Sequence, residues 1–259
     1  MKYGIILPSY SSTGSTVNAE DIIATAQAAE DNGYDSIWTT DHILLPESDS
    51  PRFRMLFEAI ATLAFLAGRT SRVRLGVSSL VLPMRDPMLV ARQMSALDAL
   101  SGGRSMLCVS VGWSRGEYEN LGYDFHTRGA RLDEAIRVMR LLWDSGGEAV
   151  SHNGDFFRFE KAIFDQLPVQ RGGPELWVGG NSLAARKRAA RFGAVWHPSS
   201  IDLEAFQEGA ASFRELSGGS IPGIAPRLRV TYGQPDPAAP LSGSLPISGR
   251  SCSATRTQG

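Results

Sequence analysis

The 259-residue sequence predicts an α/β fold in which a parallel sheet curls toward a (β/α) barrel. Three observations predict it. Short, β-prone apolar runs alternate with helix-length segments, the order that builds a parallel sheet. Those runs are apolar throughout, as strands covered on both faces must be. The length also matches the roughly 250 residues of a single α/β barrel.

The elements follow in order. Tyr3–Leu7 is a short apolar strand. A helix from about Ala19 to Asn32 places Ile22, Ile23, Ala26 and Ala29 on one stripe, and Gly33 stops it. Strand Ser36–Thr40, helix Leu56–Ala67, strand Val73–Leu82, helix Met88–Leu100 and strand Met106–Val111 continue the alternation. In helix Arg128–Trp143, Leu132, Ala135, Ile136, Met139, Leu142 and Trp143 recur at helical spacing, and Thr127 is the expected cap. Residues 146–174 break the rhythm, where Asn153-Gly154 between two β-prone segments signals a hairpin. The alternation resumes with strand Leu176–Val178, helix Leu183–Phe192, strand Val195–His197, helix Leu203–Leu216 and strand Leu228–Tyr232. Seven strands with intervening helices favour a barrel over an open doubly wound sheet. The stretch "LPSYSSTG" after the first strand is not the G-x-G-x-x-G of a dinucleotide fold.

Residues 1–233 therefore read as one barrel domain and 234–259 as an atypical tail. Prolines 235, 237, 240 and 246 forbid a continuous helix there, and the Pro, Gly and Ser content is that of a linker or disordered segment. Pairing of "SLPIS" as a poor eighth strand is the alternative, opposed by Pro246, which has no ladder donor. The expectation is an incomplete barrel with exposed first- and seventh-strand edges, low stability and a tendency to associate.

Composition excludes several function classes. Lys+Arg 26 against Asp+Glu 27 leaves a net charge of −1, with no polybasic cluster for nucleic acid or a membrane surface. The opening "MKYGIILPSY" is too short an apolar run for a signal peptide, and no stretch approaches the ~20 residues of a membrane span. Cys108 and Cys252 form neither a metal spacing nor a disulfide framework, so no metal is expected. These features predict a cytoplasmic enzyme.

In a barrel the carboxyl ends of the strands open onto one face, where chemistry sits. Those ends carry Pro8-Ser9, Asp41-His42, Ser78-Ser79, Gly112-Trp113, Gly179-Gly180-Asn181-Ser182 and His197-Pro198-Ser199. Asp41 can cap a turn and His42 can be a satisfied imidazole. At a strand tip the same pair can orient a cofactor and shuttle a proton. Gly179 and Gly180 let a ligand approach the backbone, and Asn181 or Ser182 can cap a helix whose free N–H groups suit a phosphate. Gly76, Ser78 and Ser79 interrupt an apolar strand, which suggests a bulge or a flat ligand against the backbone. His126 and His152 read as surface residues, and Cys108 as a small core residue.

The segments "DSIWTTDH", "RVRLGVSSLVLPMRDPMLVARQMSALDALSGGRSMLCVSVGWSRGEYENLG", "RGARLDEAIRVMRLLWD", "HNGDFFRF" and "ELWVGGNSLAARKRAARFGAVWHP" resemble the luciferase-like monooxygenase superfamily, in particular its coenzyme F-420-dependent oxidoreductases. The resemblance runs to about Gly233. It implies a TIM-type (β/α)8 barrel with an insertion hairpin, binding coenzyme F-420 or, alternatively, FMN. By resemblance Asp41 contacts the ring and His42 handles the proton. The resemblance also implies that Ser78 and Ser79 back the ring from a bulge with a strained or cis peptide between them, that Trp113 lines the site, and that Gly179, Gly180, Asn181 and Ser182 hold the phosphate. His197 and Ser199 border the cofactor tail, and Glu117 is a candidate for the family's glutamate.

The implied function is hydride transfer between coenzyme F-420 and a small organic substrate. The alternatives are an FMN-dependent monooxygenase with a reductase partner, and an inactive, cofactor-carrying barrel. A homodimer is the expected assembly.

Overall fold

A computed structural model describes residues 1–11, 16–219, 223–228, 230–232 and 241–243. In chain order the strands are β1 (Gly4–Ile6), β2 (Ser36–Thr39), β3 (Arg74–Val81), β4 (Ser105–Ser110), β5 (Ala149–Asn153), β6 (Arg158–Ile163), β7 (Glu175–Gly179), β8 (Val195–His197), β9 (Val230–Tyr232) and β10 (Leu241–Gly243). The helices are α1 (Ala19–Asp31), α2 (Ala59–Ala67), α3 (Pro87–Ser101), α4 (Arg115–Asn120), α5 (Arg128–Trp143), α6 (Leu183–Arg191) and α7 (Leu203–Leu216). A six-stranded parallel sheet runs β1-β2-β3-β4-β7-β8, curled as about half a barrel.

Strand alternation divides the core in two. Leu75, Val77, Leu107, Val109 and Val178 face the helices, which cover them with Ile22, Leu63, Met94, Ile136 and Ala189. The opposite faces of the same strands gather Trp38, Met106 and Cys108 against Ile6 and Trp177 inside the curl. Gly76 belongs to this packing: a Cβ on it would lie 2.3 Å from the Trp38 indole. That steric clearance, rather than a ligand, accounts for glycine at that position. The bulge is two residues on, where the β3–β4 register shifts between Val77 and Leu80.

Helix starts follow side-chain capping. Asn18 accepts from Asp21 N–H at 2.7 Å, Asp86 from Met88 N–H at 2.8 Å ahead of Pro87, and Asp202 from Ala205 N–H at 2.8 Å. Thr127 does not cap α5. Its hydroxyl donates back to the Asp124 carbonyl at 2.8 Å, because a short 3-10 turn capped by Asp124 precedes the helix.

The expected hairpin is β5–β6, antiparallel, with Gly154 N–H closing onto the Phe157 carbonyl at 3.0 Å. The buried Glu134 carboxylate of α5 accepts the N–H groups of Asp155, Phe156 and Phe157, which ties the hairpin to the barrel. His152, expected on the surface, is half-buried against Glu134 at 3.2 Å.

The chain beyond α7 departs from the sequence reading. Residues 223–227 run parallel to β8, with bridges Trp196–Ile224 and Ser199–Arg227. Ala225 N–H donates to the Trp196 carbonyl at 2.9 Å and Arg227 N–H to the Pro198 carbonyl at 2.7 Å. The seventh position is therefore taken by "GIAPR" rather than by Leu228–Tyr232. Val230–Tyr232 pairs in parallel with Leu241–Gly243 as a separate two-stranded sheet. The rest of the expected tail, 234–240 and 244–259, lies outside the described residues. No helix among the described residues is long and apolar enough to cross a membrane.

Candidate active site

The tip of β2 is built first. Strand geometry ends at Thr39, and Thr40, Asp41 and His42 turn onto the carboxyl-end face. Asp41 is 3% exposed, and its carboxylate accepts Val81 N–H at 2.9 Å and an Arg85 guanidinium N–H at 2.6 Å. Burial raises its pKa, opposed by the Arg85 charge and the Val81 N–H. Both Asp41 oxygens thus lock the end of β2 to the end of β3.

His42 is held from the other side. Its Nδ1 lies 2.8 Å from Glu117 Oε2, while Glu117 Oε1 accepts Ile43 N–H at 2.5 Å and Leu44 N–H at 3.2 Å. Glu117 is 1% exposed. It stands on α4, whose start Ser114 caps by accepting Glu117 N–H at 3.1 Å. Burial pushes the Glu117 carboxyl up, but the bonds from His42, Ile43 and Leu44 outweigh it and hold the group below its usual range. A carboxylate only accepts, so His42 carries a proton on Nδ1 and leaves Nε2 free of this contact. Around the ring stand Phe53 at 4.5 Å and Trp113 at 5.7 Å between centroids, with Tyr10 against Phe53 at 5.2 Å. Trp113 is 52% exposed, an apolar wall open to a ligand.

Deeper in the curl, the Ser78–Ser79 peptide bond is cis, as the sequence reading expects. Ser78 Oγ lies 2.8 Å from His197 Nε2, and His197 Nδ1 lies 2.5 Å from the Ala225 carbonyl. The carbonyl requires Nδ1–H, so Nε2 accepts from the serine hydroxyl. Arg227 donates to the Ser78 carbonyl at 3.0 Å. Cys108 Sγ reaches Ser79 Oγ at 3.4 Å, and burial pushes the thiol up to about 12.

Burial moves His197 down to about 4, partly offset by Ala225 and reinforced by Arg227. Its folded pKa lies below the ~6.5 of an unfolded histidine. Stability is therefore full above pH ~6.5 and falls as the pH drops toward 4, by about 3 kcal/mol in all. Urea unfolding at pH 7 and pH 4.5 tests this: His197→Asn should flatten the difference attributable to this group. An equally steep loss in that variant would assign it elsewhere.

The turn after β7 is the third component. Gly179 is forced by its neighbour, since a Cβ there would lie 2.4 Å from Ser79 Oγ. Gly180 sits at φ +126°, a conformation that side chains rarely adopt. Asn181 bridges to the β8 loop, donating to the Ser199 carbonyl at 2.8 Å and accepting Ser199 N–H at 3.0 Å. Ser182 caps α6 by accepting Ala185 N–H at 3.2 Å. The exposed Leu183 and Ala184 N–H groups have no partner among the described residues.

The sequence-predicted residues thus fall into three connected groups on one face: Asp41, His42 and Trp113; Ser78, Ser79 and His197; and the turn Gly179, Gly180, Asn181 and Ser182. Arg85 and Arg227 were missed. Glu117, only a candidate in the sequence, is the side chain that fixes His42.

A family model described as luciferase-like monooxygenase matches residues 1–232. The phthiodiolone/phenolphthiodiolone dimycocerosates ketoreductase of Mycobacterium sp. (strain JLS) is 33% identical over 187 residues, covering 66% of this chain and 49% of that protein. The oxygenase component of flavin-dependent trigonelline monooxygenase from Acinetobacter baylyi is 29% identical over 201 residues, covering 77% of this chain and 52% of that protein. The chain spans about half the length of these curated relatives. A solved coenzyme F-420-dependent secondary alcohol dehydrogenase, holding a cofactor–acetone adduct, superposes with a TM-score of 0.68 at 25% identity, over 86% of this chain and 68% of that one. The FMN-bound oxygenating constituent of 3,6-diketocamphane monooxygenase from Pseudomonas putida superposes with a TM-score of 0.77 at 19% identity, over 90% and 68%.

Proposed function

Because the chain belongs to the luciferase-like monooxygenase family, we propose that it is an oxidoreductase that moves a hydride between coenzyme F-420 and an alcohol or ketone. The observation that carries the reading is the His42–Glu117 pair, which fixes a proton-handling nitrogen beside an exposed aromatic wall. The ketoreductase relative and the alcohol dehydrogenase neighbour support this choice of substrate chemistry.

The residues fit a flat, phosphorylated ring. The glycines let the backbone of the turn pack closely on Ser79 and Ala185, and the free N–H groups at the start of α6 beside it offer an anion site. Ser9 and Thr40, at the tips of β1 and β2, carry buried hydroxyls with no partner among the described residues, and a ring carbonyl or nitrogen would satisfy them. Bound there, the cofactor supplies a two-electron hydride acceptor or donor. Gly179, Gly180, Asn181 and Ser182 would hold its phosphate, and Ser78 and Ser79 would back its ring. His42 Nε2 takes the proton from a substrate hydroxyl during oxidation and returns it during reduction. Glu117 orients that imidazole, Asp41 positions the strand tip that carries it, and Trp113 with Phe53 excludes water from the substrate. His197 stays neutral and fixes Ser78.

FMN is the second reading, favoured by the 29% identity to a flavin-dependent oxygenase component, and it would require a reductase partner. Titrating the purified chain with each cofactor and following fluorescence separates the two readings. Coenzyme F-420 binding, with bleaching of its visible absorbance by a secondary alcohol, supports the first. FMN binding alone supports the second, and binding of neither refutes both. Gly180→Val should weaken the phosphorylated cofactor at least tenfold, because valine at φ +126° costs about 1–3 kcal/mol in the turn. Unchanged affinity would remove the phosphate from this turn.

A further inference from the structure

We propose that Arg227 is the charge partner of the bound ring, selecting its reduced, negatively charged form over the oxidised one. The inference rests on the flavin or deazaflavin reading above. Arg227 reaches the site through the strand that the sequence misplaced, held by its N–H to the Pro198 carbonyl at 2.7 Å and by Ser200 N–H to its own carbonyl at 3.2 Å. Its guanidinium donates one bond, at 3.0 Å, to the Ser78 carbonyl in the segment that would back the ring.

The surroundings leave that charge uncompensated. Arg85 is paired with Asp41 at 2.6 Å and Glu58 at 3.4 Å, and Arg74 with Glu175 at 2.5 Å. Arg227 has no carboxylate partner among the described residues, although it is half-buried. Two titratable groups that feel its charge, Cys108 and His197, are both neutral near pH 7, with the thiol pushed up to about 12 and the imidazole down to about 4. A guanidinium carries five N–H donors in a fixed fork, and one bond leaves most of them available. A half-buried cation of this kind gains from an anion placed against it.

The hydride step supplies that anion. A secondary alcohol that loses a hydride to the ring and a proton to His42 becomes a ketone. The ring gains two electrons and one proton, and therefore one negative charge. A fixed cation beside the ring stabilises that charge without reorganising, which is the usual source of electrostatic gain in an active site. Phosphate is the competing anion, but the α6 turn already serves it.

The test compares dissociation constants of oxidised and reduced FMN, with coenzyme F-420 in parallel, for the native chain, Arg227→Lys and Arg227→Gln. The native chain should bind the reduced form at least tenfold tighter. Arg227→Gln should erase about that factor, equivalent to about 30 mV in a two-electron couple, while Arg227→Lys keeps most of it. Should the glutamine variant fail to fold, the native and lysine proteins still decide: their preference for the reduced form should grow as the pH rises through the ionisation of the free reduced ring. Cofactor binding without that preference, or a glutamine variant that retains it, overturns the role of Arg227 alone. Binding of neither cofactor overturns the parent reading and this one together.

Discussion

His42→Ala is expected to lower turnover by about 10²–10⁴-fold while leaving cofactor affinity within about tenfold. The setting of the ring supports the proposed role. Its side chain is 6% exposed, with Nδ1 spent on Glu117, so the imidazole has one orientation and one tautomer. Removing it vacates space between Phe53 and Trp113 without touching the Gly179–Ser182 turn or the Ser78–Ser79 segment. Loss of the proton acceptor therefore appears in kcat, and the cofactor dissociation constant moves by less than about 1.4 kcal/mol. Steady-state kinetics and a fluorescence titration on the same preparation measure both quantities. Native turnover in the alanine variant would leave His42 with a packing role only.

Asp41-His42, Gly179–Ser182 and the Ser78–Ser79 interruption were legible in the sequence for one reason. Each puts polar or small residues where an apolar strand should continue, and such a break in pattern is local. The partners of those residues were not legible, because partnership is a long-range fact. Glu117 lies 75 positions from His42, on a six-residue helix too short to show a periodic stripe. Arg85 reads as an ordinary loop cation until β2 and β3 are laid side by side. The seventh strand position was hidden by its own composition, since Gly223 and Pro226 carry no β signal. Val230–Tyr232, with two β-branched residues and an aromatic, carried one and pairs elsewhere. Gly76 shows the converse. A glycine in a strand was read correctly as a close approach, but the approaching group is Trp38 of the neighbouring strand.

Glu117→Gln separates orientation from charge at the same position. Glutamine keeps the shape and can still accept Ile43 and Leu44 N–H through its carbonyl oxygen, where the native bonds are 2.5 and 3.2 Å. Its amide nitrogen then faces His42 Nδ1, where Oε2 stood at 2.8 Å, and it can only donate. His42 must give up the Nδ1 proton and carry it on Nε2, so the nitrogen meant to accept the substrate proton becomes a donor. An inverted tautomer of this kind costs a serine protease about 10⁴-fold in kcat, and a loss of 10²–10⁴-fold is expected here with substrate KM and cofactor affinity little changed. Glu117→Ala should behave differently. It removes the partner of the Ile43 and Leu44 N–H groups and of the nearly buried imidazole, at a cost of about 1–3 kcal/mol, and loosens the loop that begins at Ile43. The glutamine variant should therefore melt close to the native protein and fail in turnover, whereas the alanine variant fails in both. Calorimetry beside kinetics reads the split. A folded glutamine variant with native kcat would show that Glu117 only anchors the loop and that the tautomer of His42 is set by something else.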